Sequence, residues 1–167
     1  MAPNSVLFEV YKLKRLIRLS VIMSLVSTSI IINAAPETVR SIFLDFDNYE
    51  WSAFVKSIKT NPPKPSASIA PGDKLDVVLE GNKTLRINPV VVENSLSAFR
   101  WKGNVGYDTI FNGIHSYEFN PTEDGKTEFV HKEVFGGLLR GPLLYFVGDL
   151  KKDFRLFTEA LKSKCEA

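Results

Sequence analysis

The most regular pattern of apolar and polar positions lies at the end of the chain, over residues 142–167. Apolar residues recur there at spacings of three and four, and they are Leu143, Phe146, Val147, Leu150, Phe154, Phe157 and Leu161. This spacing places the side chains on one face of an α-helix, which has about 3.6 residues per turn. The pattern predicts a long C-terminal helix that begins near Pro142, because proline suits the first helical turn. An apolar face of this size needs a broad partner.

The segments upstream alternate between apolar and polar residues, which is typical of β-strands. A first strand is predicted over 26–33, followed by a short helix that begins at Pro36. Asn48 is a candidate N-cap for a second short helix. Six further strands are expected after these helices, and five of them are located, at 75–80, 85–92, 99–103, 113–119 and 127–135. This order predicts an α+β fold, in which a curved seven-stranded antiparallel sheet wraps around the long C-terminal helix, with two short helices after strand 1.

The beginning of the chain imitates a secretory signal or a membrane anchor, since basic residues at 12–18 precede an apolar run at 19–32. That run contains four serines and is shorter than the roughly 20 residues that a membrane-spanning helix needs. Cleavage near Ala35 would also remove the predicted first strand. We therefore expect residues 1–20 to form an N-terminal extension and residues 21–167 to form a single domain, without stable membrane insertion.

Composition narrows the classes of function. A formal net charge of +2 over 167 residues gives no electrostatic basis for binding nucleic acid. The chain has one cysteine, Cys165, which excludes an intramolecular disulfide and fits a cytoplasmic location. The sequence contains no zinc-ligand spacing, phosphate-binding loop or dinucleotide glycine pattern, so neither a metal nor a cofactor is expected.

Six segments, together with the order of the elements, carry a resemblance to a known superfamily. They are residues 32–37, 45–51, 99–103, 111–117, 129–136 and 154–166. In these segments the chain resembles the helix-grip (SRPBCC, Bet v 1-like) superfamily, which includes plant pathogenesis-related allergens, START lipid-transfer domains and bacterial polyketide aromatase/cyclases. The resemblance covers roughly residues 26–167 and is most specific for the polyketide cyclase/dehydrase-like branch. One departure is Ser52-Ala53, where this branch commonly has Asn-Pro after the tryptophan.

The resemblance implies a deep cavity between the concave face of the sheet and the C-terminal helix. A cavity with apolar walls and a few placed polar groups suits a hydrophobic small molecule, here a polyketide or a lipid-like compound. The expected partner is therefore such a molecule, and a homodimer is compatible with the sequence.

His115 and Glu133 are the first candidates for proton transfer in this cavity. They lie on the two strands of one predicted hairpin, each among aromatic residues, on faces that are expected to point inward. A carboxylate beside an imidazole fixes its tautomer and raises its basicity, so His115 is expected to move the proton. His131 shares the face of Glu133 and is a third catalytic candidate. The alternative is a structural hydrogen bond that satisfies two buried polar side chains, with no chemistry.

Seven aromatic residues are predicted to bind the substrate, either as walls of the cavity or at its mouth. They are Trp51, Phe54, Trp101, Tyr107, Tyr117, Phe129 and Phe154. The alternative for Trp101 is ordinary core packing, and the alternative for Tyr107 is a surface turn.

Three classes of function follow from these features. The first is a cofactor-independent polyketide cyclase of secondary metabolism, which promotes aldol or lactone (pyrone-type) ring closure. The second is a non-catalytic protein that binds or transfers a lipid or another hydrophobic metabolite. The third is an interaction module without a ligand. Polar residues among aromatic ones favour the first class over the second, and a filled cavity would leave only the third.

Overall fold

The computed structural model describes residues 24–80, 84–105, 111–137 and 149–167. Its strands are β1 (Ser24–Ile32), β2 (Val55–Asn61), β3 (Lys74–Glu80), β4 (Thr84–Ile87), β5 (Val90–Asn94), β6 (Ala98–Val105), β7 (Phe111–Pro121) and β8 (Thr127–Gly136). The α-helices of the described part are α1 (Pro36–Leu44) and α2 (Leu150–Cys165), and a short 3₁₀ helix spans Ser66–Ser68. The predicted fold class is confirmed: a curved antiparallel sheet wraps around a C-terminal helix. The predicted extension over residues 1–20 lies outside the described residues.

The sheet has one continuous path of seven strands, in the order β1-β8-β7-β6-β5-β3-β2. The eighth strand, β4, pairs with β3 beside this path, and together they form what we call the β3–β4 arm. The β7–β8 ladder sets the register on which the site depends. It places His115 directly opposite Glu133 and Tyr117 directly opposite His131. These four residues therefore share the concave face of the sheet, because residues two apart on a strand point to the same side.

An aromatic core fills one half of the space between the concave face and α2. Phe43 of α1 lies at its centre, with ring centroids of its neighbours 4.4–6.5 Å away. These neighbours are Phe46, Tyr49, Phe99, Tyr117, Phe119 and Phe157. Most of the pairs are tilted or edge-to-face, the arrangements that aromatic rings prefer. The core thus joins α1, α2 and the middle strands.

Helix α2 begins at Leu150, so the predicted helix is not continuous through Asp149, and its expected beginning near Pro142 lies outside the described residues. Asp149 has a non-helical backbone, and its side chain accepts a hydrogen bond of 3.1 Å from the backbone N–H of Lys152. An aspartate in this position is an N-cap, which satisfies a donor that the first helical turn leaves free. The predicted apolar face is confirmed over the described part, where Phe154 and Phe157 are both buried.

The second predicted short helix is absent from the described residues, and turns occupy 46–54 instead. Asn48 closes the turn after α1: its backbone N–H donates to the carbonyl of Asp45 at 3.1 Å, and its amide donates to the Asp45 carboxylate at 2.9 Å. The hydroxyl of Tyr49 then donates to the carbonyl of Phe43 at 2.7 Å. These bonds fix Asn48 in the turn that follows α1, so it is not the N-cap of a second helix.

The strand that was predicted over 85–92 is divided into β4 and β5 by Asn88 and Pro89. Proline has no N–H to give to a ladder, which explains the break. On one side of it, Ile87 pairs with Val77 of β3, and on the other, Val90 pairs with Lys74. The break therefore lets β4 form the separate β3–β4 arm.

Candidate functional site

A cavity of about 450 Å³ occupies the other half of the space between the sheet and α2. Its lining is mostly apolar and includes residues from β3, β4, β6, β7, β8 and α2. The lining residues are Phe54, Leu79, Leu85, Arg86, Ile87, Asn88, Gly103, Asn104, Gly113, His115, Glu133, Phe135, Leu150 and Phe154. Apolar walls with a few polar groups are typical of sites for small hydrophobic ligands.

Two facing glycines line this cavity, one under empty space and the other under the Glu133 side chain. Gly103 of β6 and Gly113 of β7 are directly opposite in the ladder. A Cβ atom built on Gly103 would meet no atom within 4 Å, so empty space begins at the backbone there. A Cβ atom on Gly113 would lie 2.5 Å from Oε1 of Glu133. Gly113 is therefore what lets the Glu133 carboxylate lie over the sheet.

Glu133, His115 and His131 form a chain of polar groups that runs from the cavity into the core. Oε2 of Glu133 lies 3.3 Å from Nδ1 of His115, and Nε2 of His115 lies 2.6 Å from Nε2 of His131. The Glu133 side chain is 18% exposed, whereas His115 is 2% exposed and His131 is fully buried. The predicted pair of His115 and Glu133 is thus brought together, with His131 behind it.

The contacts allow one arrangement of protons in which both rings are neutral. Nδ1 of His115 faces Oε2 of Glu133 at 3.3 Å, and a proton on this Nδ1 in the neutral ring would make Nε2 an acceptor. His131 therefore donates from its own Nε2, and its Nδ1 is left unprotonated. That Nδ1 makes no hydrogen bond of good geometry among the described residues, although the backbone of Phe154 acts on the ring in the direction that raises its pKa. Both nitrogens of His115 face protein groups, whereas Oε1 of the cavity-lining Glu133 lies over Gly113 and is not the oxygen that contacts His115.

His131 lies in an aromatic environment that opposes its protonation. Its ring stacks on Phe154 with a centroid distance of 3.9 Å and an angle of 9° between planes, and on Tyr117 at 4.7 Å. Burial, with a further contribution from the neighbouring His115, holds the pKa of His131 well below its usual range. His131 is therefore a neutral hydrogen-bond donor to His115 near neutral pH.

The free energy of unfolding is expected to decrease as the pH falls below 6.5, the ordinary pKa of histidine. In that range the unfolded chain binds a proton at residue 131 and the folded chain does not, so the unfolded state gains stability. One such group contributes a slope of up to about 1.4 kcal/mol per pH unit. Urea unfolding from about pH 7.5 to about pH 5.5 measures this slope in the wild type and in His131→Phe, which keeps the stack on Phe154. The variant should show the shallower slope, and equal slopes would contradict the assignment.

Two of the predicted substrate-binding aromatics line the cavity, namely Phe54 and Phe154. Trp101 does not: it is 1% exposed, and its ring packs against His115 at a centroid distance of 5.2 Å. The reason is its position two residues before Gly103, on the part of β6 that faces the filled core. Trp101 therefore supports His115 from the core side.

The other predicted binding residues also lie away from the surface of the cavity or outside the described residues. Tyr117 and Phe129 are fully buried in the aromatic core. Trp51 packs on Tyr49 and on Phe157, with ring centroids 4.7 Å and 5.2 Å away. Tyr107 is outside the described residues.

Several lining residues were not predicted from the sequence. Gly103 and Gly113 carried a usable signal, since a glycine inside a strand often marks a place where a ligand approaches the backbone. Leu79 and Ile87 carried none, because their position over the cavity depends on the course of the β3–β4 arm. Within the described ranges, no helix is both long and apolar enough to span a bilayer.

A curved sheet that grips a C-terminal helix, with a mostly apolar cavity between them, defines the class of helix-grip proteins. The chain belongs to the family described as polyketide cyclase/dehydrase and lipid transport, which matches residues 23–166. No curated protein matches the chain in sequence.

Solved structures share the fold at low sequence identity. The Zhui aromatase/cyclase from Streptomyces sp. R1128 is 7% identical, with a TM-score of 0.66 over 86% of this chain and 94% of that one. The di-domain ARO/CYC BexL from the BE-7585A biosynthetic pathway is 15% identical, with a TM-score of 0.67 over 98% of this chain and 58% of that one. A protein from Thermus thermophilus is 16% identical, with a TM-score of 0.63 over 86% of this chain and 97% of that one. At these identities the likeness establishes the fold.

Proposed function

We propose that this protein binds a hydrophobic small molecule in the cavity and that it is a cytoplasmic polyketide cyclase. The observation that carries the proposal is a carboxylate, Glu133, which is held by His115 and faces a mostly apolar cavity of about 450 Å³. Membership of the polyketide cyclase/dehydrase family and the fold of the Zhui aromatase/cyclase support it. The lone Cys165 supports the cytoplasmic location.

The proposed reaction needs only proton transfer and a fixed chain conformation. The Glu133 carboxylate takes a proton from a methylene carbon that lies between two ketones of the substrate. The enolate carbon attacks a ketone carbon farther along the same chain, which forms the new carbon–carbon bond and an alkoxide. The alkoxide then takes the proton back from Glu133, so no oxidant or reductant is consumed.

Lactone closure uses the same groups. An enol hydroxyl of the substrate gives its proton to Glu133 while its oxygen attacks the terminal carboxyl carbon, and the proton then leaves with the displaced group. In both reactions we assign His115 to orienting the carboxylate, in place of the proton transfer expected from the sequence, since its two nitrogens face Glu133 and His131. The cavity holds the reacting carbons close together and excludes water, which lowers the entropic part of the barrier.

A second candidate function is a non-catalytic carrier of a lipid or another hydrophobic metabolite. The mostly apolar lining of the cavity favours it, because a carrier needs only the shape and the apolar character of the walls. The two functions share the binding step and differ in whether Glu133 accelerates a reaction.

The binding step is tested by filling the cavity. Gly103→Leu adds a side chain where a Cβ atom meets no atom within 4 Å, so the variant is expected to fold with a smaller cavity. The probe is N-phenyl-1-naphthylamine, a neutral compound whose fluorescence increases in apolar surroundings. Its affinity should fall at least about tenfold, which corresponds to about 1.4 kcal/mol.

The matched control is Ser29→Leu, which adds the same side chain to an exposed position of β1. This control should keep the wild-type affinity. Native mass spectrometry of the purified wild type and of Gly103→Leu adds a second measurement, since a co-purifying hydrophobic molecule should be lost from the variant. Equal probe affinity in the wild type and Gly103→Leu would show that the cavity is not the binding site.

A further inference from the structure

The two edges of the sheet differ in the side chains that protect them from further pairing. Strand β2 forms one edge and carries two exposed lysines, Lys56 and Lys59. Charged side chains, lysine above all, are a common means by which natural edge strands avoid pairing with another strand. Strand β1 forms the other edge, and its nine residues include neither a charged residue nor a proline. The edge at β1 therefore lacks the protection that the edge at β2 has.

Two contacts with the end of α2 identify which backbone groups of β1 point away from the sheet. The carbonyl of Ile31 accepts a hydrogen bond of 2.8 Å from Nζ of Lys162, and the N–H of Asn33 donates one of 2.7 Å to Glu166. The register between β1 and β8 is uninterrupted. Backbone groups in an antiparallel strand alternate between its two sides. Every second residue counted back from Ile31 therefore turns its N–H and carbonyl to the outer edge.

Three residues of this outer edge are available for pairing, namely Leu25, Ser27 and Ser29. Among the described residues, none makes a hydrogen bond to their outward backbone groups. Leu25 also has a side chain that is 63% exposed. A row of unpaired N–H and carbonyl groups is a template for the addition of another strand. Lys162 and Glu166 limit the free part of the edge to the residues before Ile31.

We propose that β1 is the interface between two copies of this chain, with the two β1 strands paired antiparallel and Ser27 opposite the partner's Ser27. This register pairs all three free residues, because Leu25 of each copy then lies opposite the partner's Ser29. It forms about six backbone hydrogen bonds between the copies. The paired side chains are uncharged, and the same patch serves both copies, as a two-fold interface requires. The proposal is independent of ligand binding, since no residue of β1 lines the cavity.

The part of the chain that precedes β1 is the competing partner for this edge. To pair with β1 in antiparallel fashion, it would have to reverse its direction in a tight turn, and such turns favour glycine, asparagine, aspartate or proline. Residues 5–23 contain none of these four residue types. A second copy brings an uncharged strand whose edge is already formed, so it is the partner that the observations favour.

The dimer is expected to be weak, because one pair of strand edges buries less surface than the roughly 1,200–2,000 Å² of stable interfaces. Sedimentation velocity of the full chain is measured from about 1 μM to about 500 μM, a range that brackets a micromolar dissociation constant. The apparent mass should rise with concentration from that of one chain, 18.7 kDa, toward twice that value.

Ser27→Glu tests the register. Within one copy the new carboxylate lies opposite Lys132 of β8, which suits the fold. Across the two-fold axis it meets the same carboxylate of the other copy, so the dissociation constant should rise at least about tenfold. The matched control is Ser97→Glu, which makes the same change at an exposed position of the turn before β6 and should keep the wild-type constant.

Hydrogen exchange followed by NMR provides a second measurement. The amides of Leu25, Ser27 and Ser29 should exchange more slowly as the protein concentration rises, and Ser27→Glu should remove this dependence. Slow exchange of these amides in a monomer, at every concentration, would mean that the chain covers its own edge and would overturn the proposal. A wild type that stays monomeric throughout the range, or a dimer that Ser27→Glu leaves intact, would overturn it as well.

Discussion

Replacing Glu133 with glutamine should lower the rate of ring closure of a poly-β-keto substrate by about 10²–10⁴-fold, the usual effect of removing a general base. The amide keeps the size of the side chain but cannot take a proton from carbon. Its position over Gly113 and beside His115 should be retained, so the fold and the affinity for N-phenyl-1-naphthylamine should change little. The measurement is the rate of product formation above the spontaneous reaction, together with the product distribution.

The control for this prediction is Glu128→Gln, which makes the same chemical change on the outer face of β8. Its rate should equal that of the wild type. A Glu133→Gln variant that closes the ring at the wild-type rate would contradict the role of the carboxylate and would leave the carrier function. A product distribution that shifts while the rate is unchanged would mean that the cavity acts only by shaping the chain.

Phe157→Ala should destabilise the protein by about 3–5 kcal/mol, the range for removing a buried phenylalanine from a core. Phe157 is 1% exposed, and its ring lies within 5.2–6.4 Å of the rings of several elements. The rings are those of Phe43, Tyr49, Trp51, Tyr117 and His131. Removing the Phe157 ring removes a contact between α2, α1 and the sheet. It also leaves a void that the rigid aromatic neighbours cannot fill.

Urea unfolding followed by circular dichroism measures this effect as a shift of the denaturation midpoint, provided that the dependence of the unfolding free energy on urea concentration is the same in both proteins. The matched control is Leu156→Ala on the same helix, because Leu156 is 43% exposed. A surface substitution of this kind should change the stability by no more than about 0.5 kcal/mol. Equal midpoints for the two variants would contradict the role of the aromatic core as the anchor of α2.

The parts of the fold that were predictable are those in which one local pattern decides the structure. The spacing of Phe154, Phe157 and Leu161 identified the buried face of α2, because an amphipathic helix records its buried side in the sequence. Strand β2 was missed because its alternation is short, with Ile58 and Thr60 buried between exposed residues. Asn48 precedes β2 and resembles a helix N-cap, so the segment that follows it was expected to be a short helix.

The predictable part of the site is the part that lies on one hairpin. The register of β7 and β8 follows from the turn between them, so the contact of His115 with Glu133 could be expected from alternation alone. The hydrogen bond between His115 and His131 depends on side-chain conformations, so alternation alone could not predict it. Trp101 was expected on the wall of the cavity because alternation identifies the inward face, but alternation does not tell which half of that face is filled.

One half of the concave face is covered by the aromatic core and the other half by the cavity, so the packing of α2 against the sheet differs between its two ends. Phe157 and Leu161 lie in the aromatic core, whereas Leu150 and Phe154 border the cavity. Backbone amides are protected from hydrogen exchange according to the free energy of the local opening that exposes them, and that free energy is lower where apolar contacts are fewer. The first turns of α2 should therefore open more often than its last turns. Such an opening would expose the cavity beside Leu150 while Phe157 and Leu161 stay packed in the aromatic core.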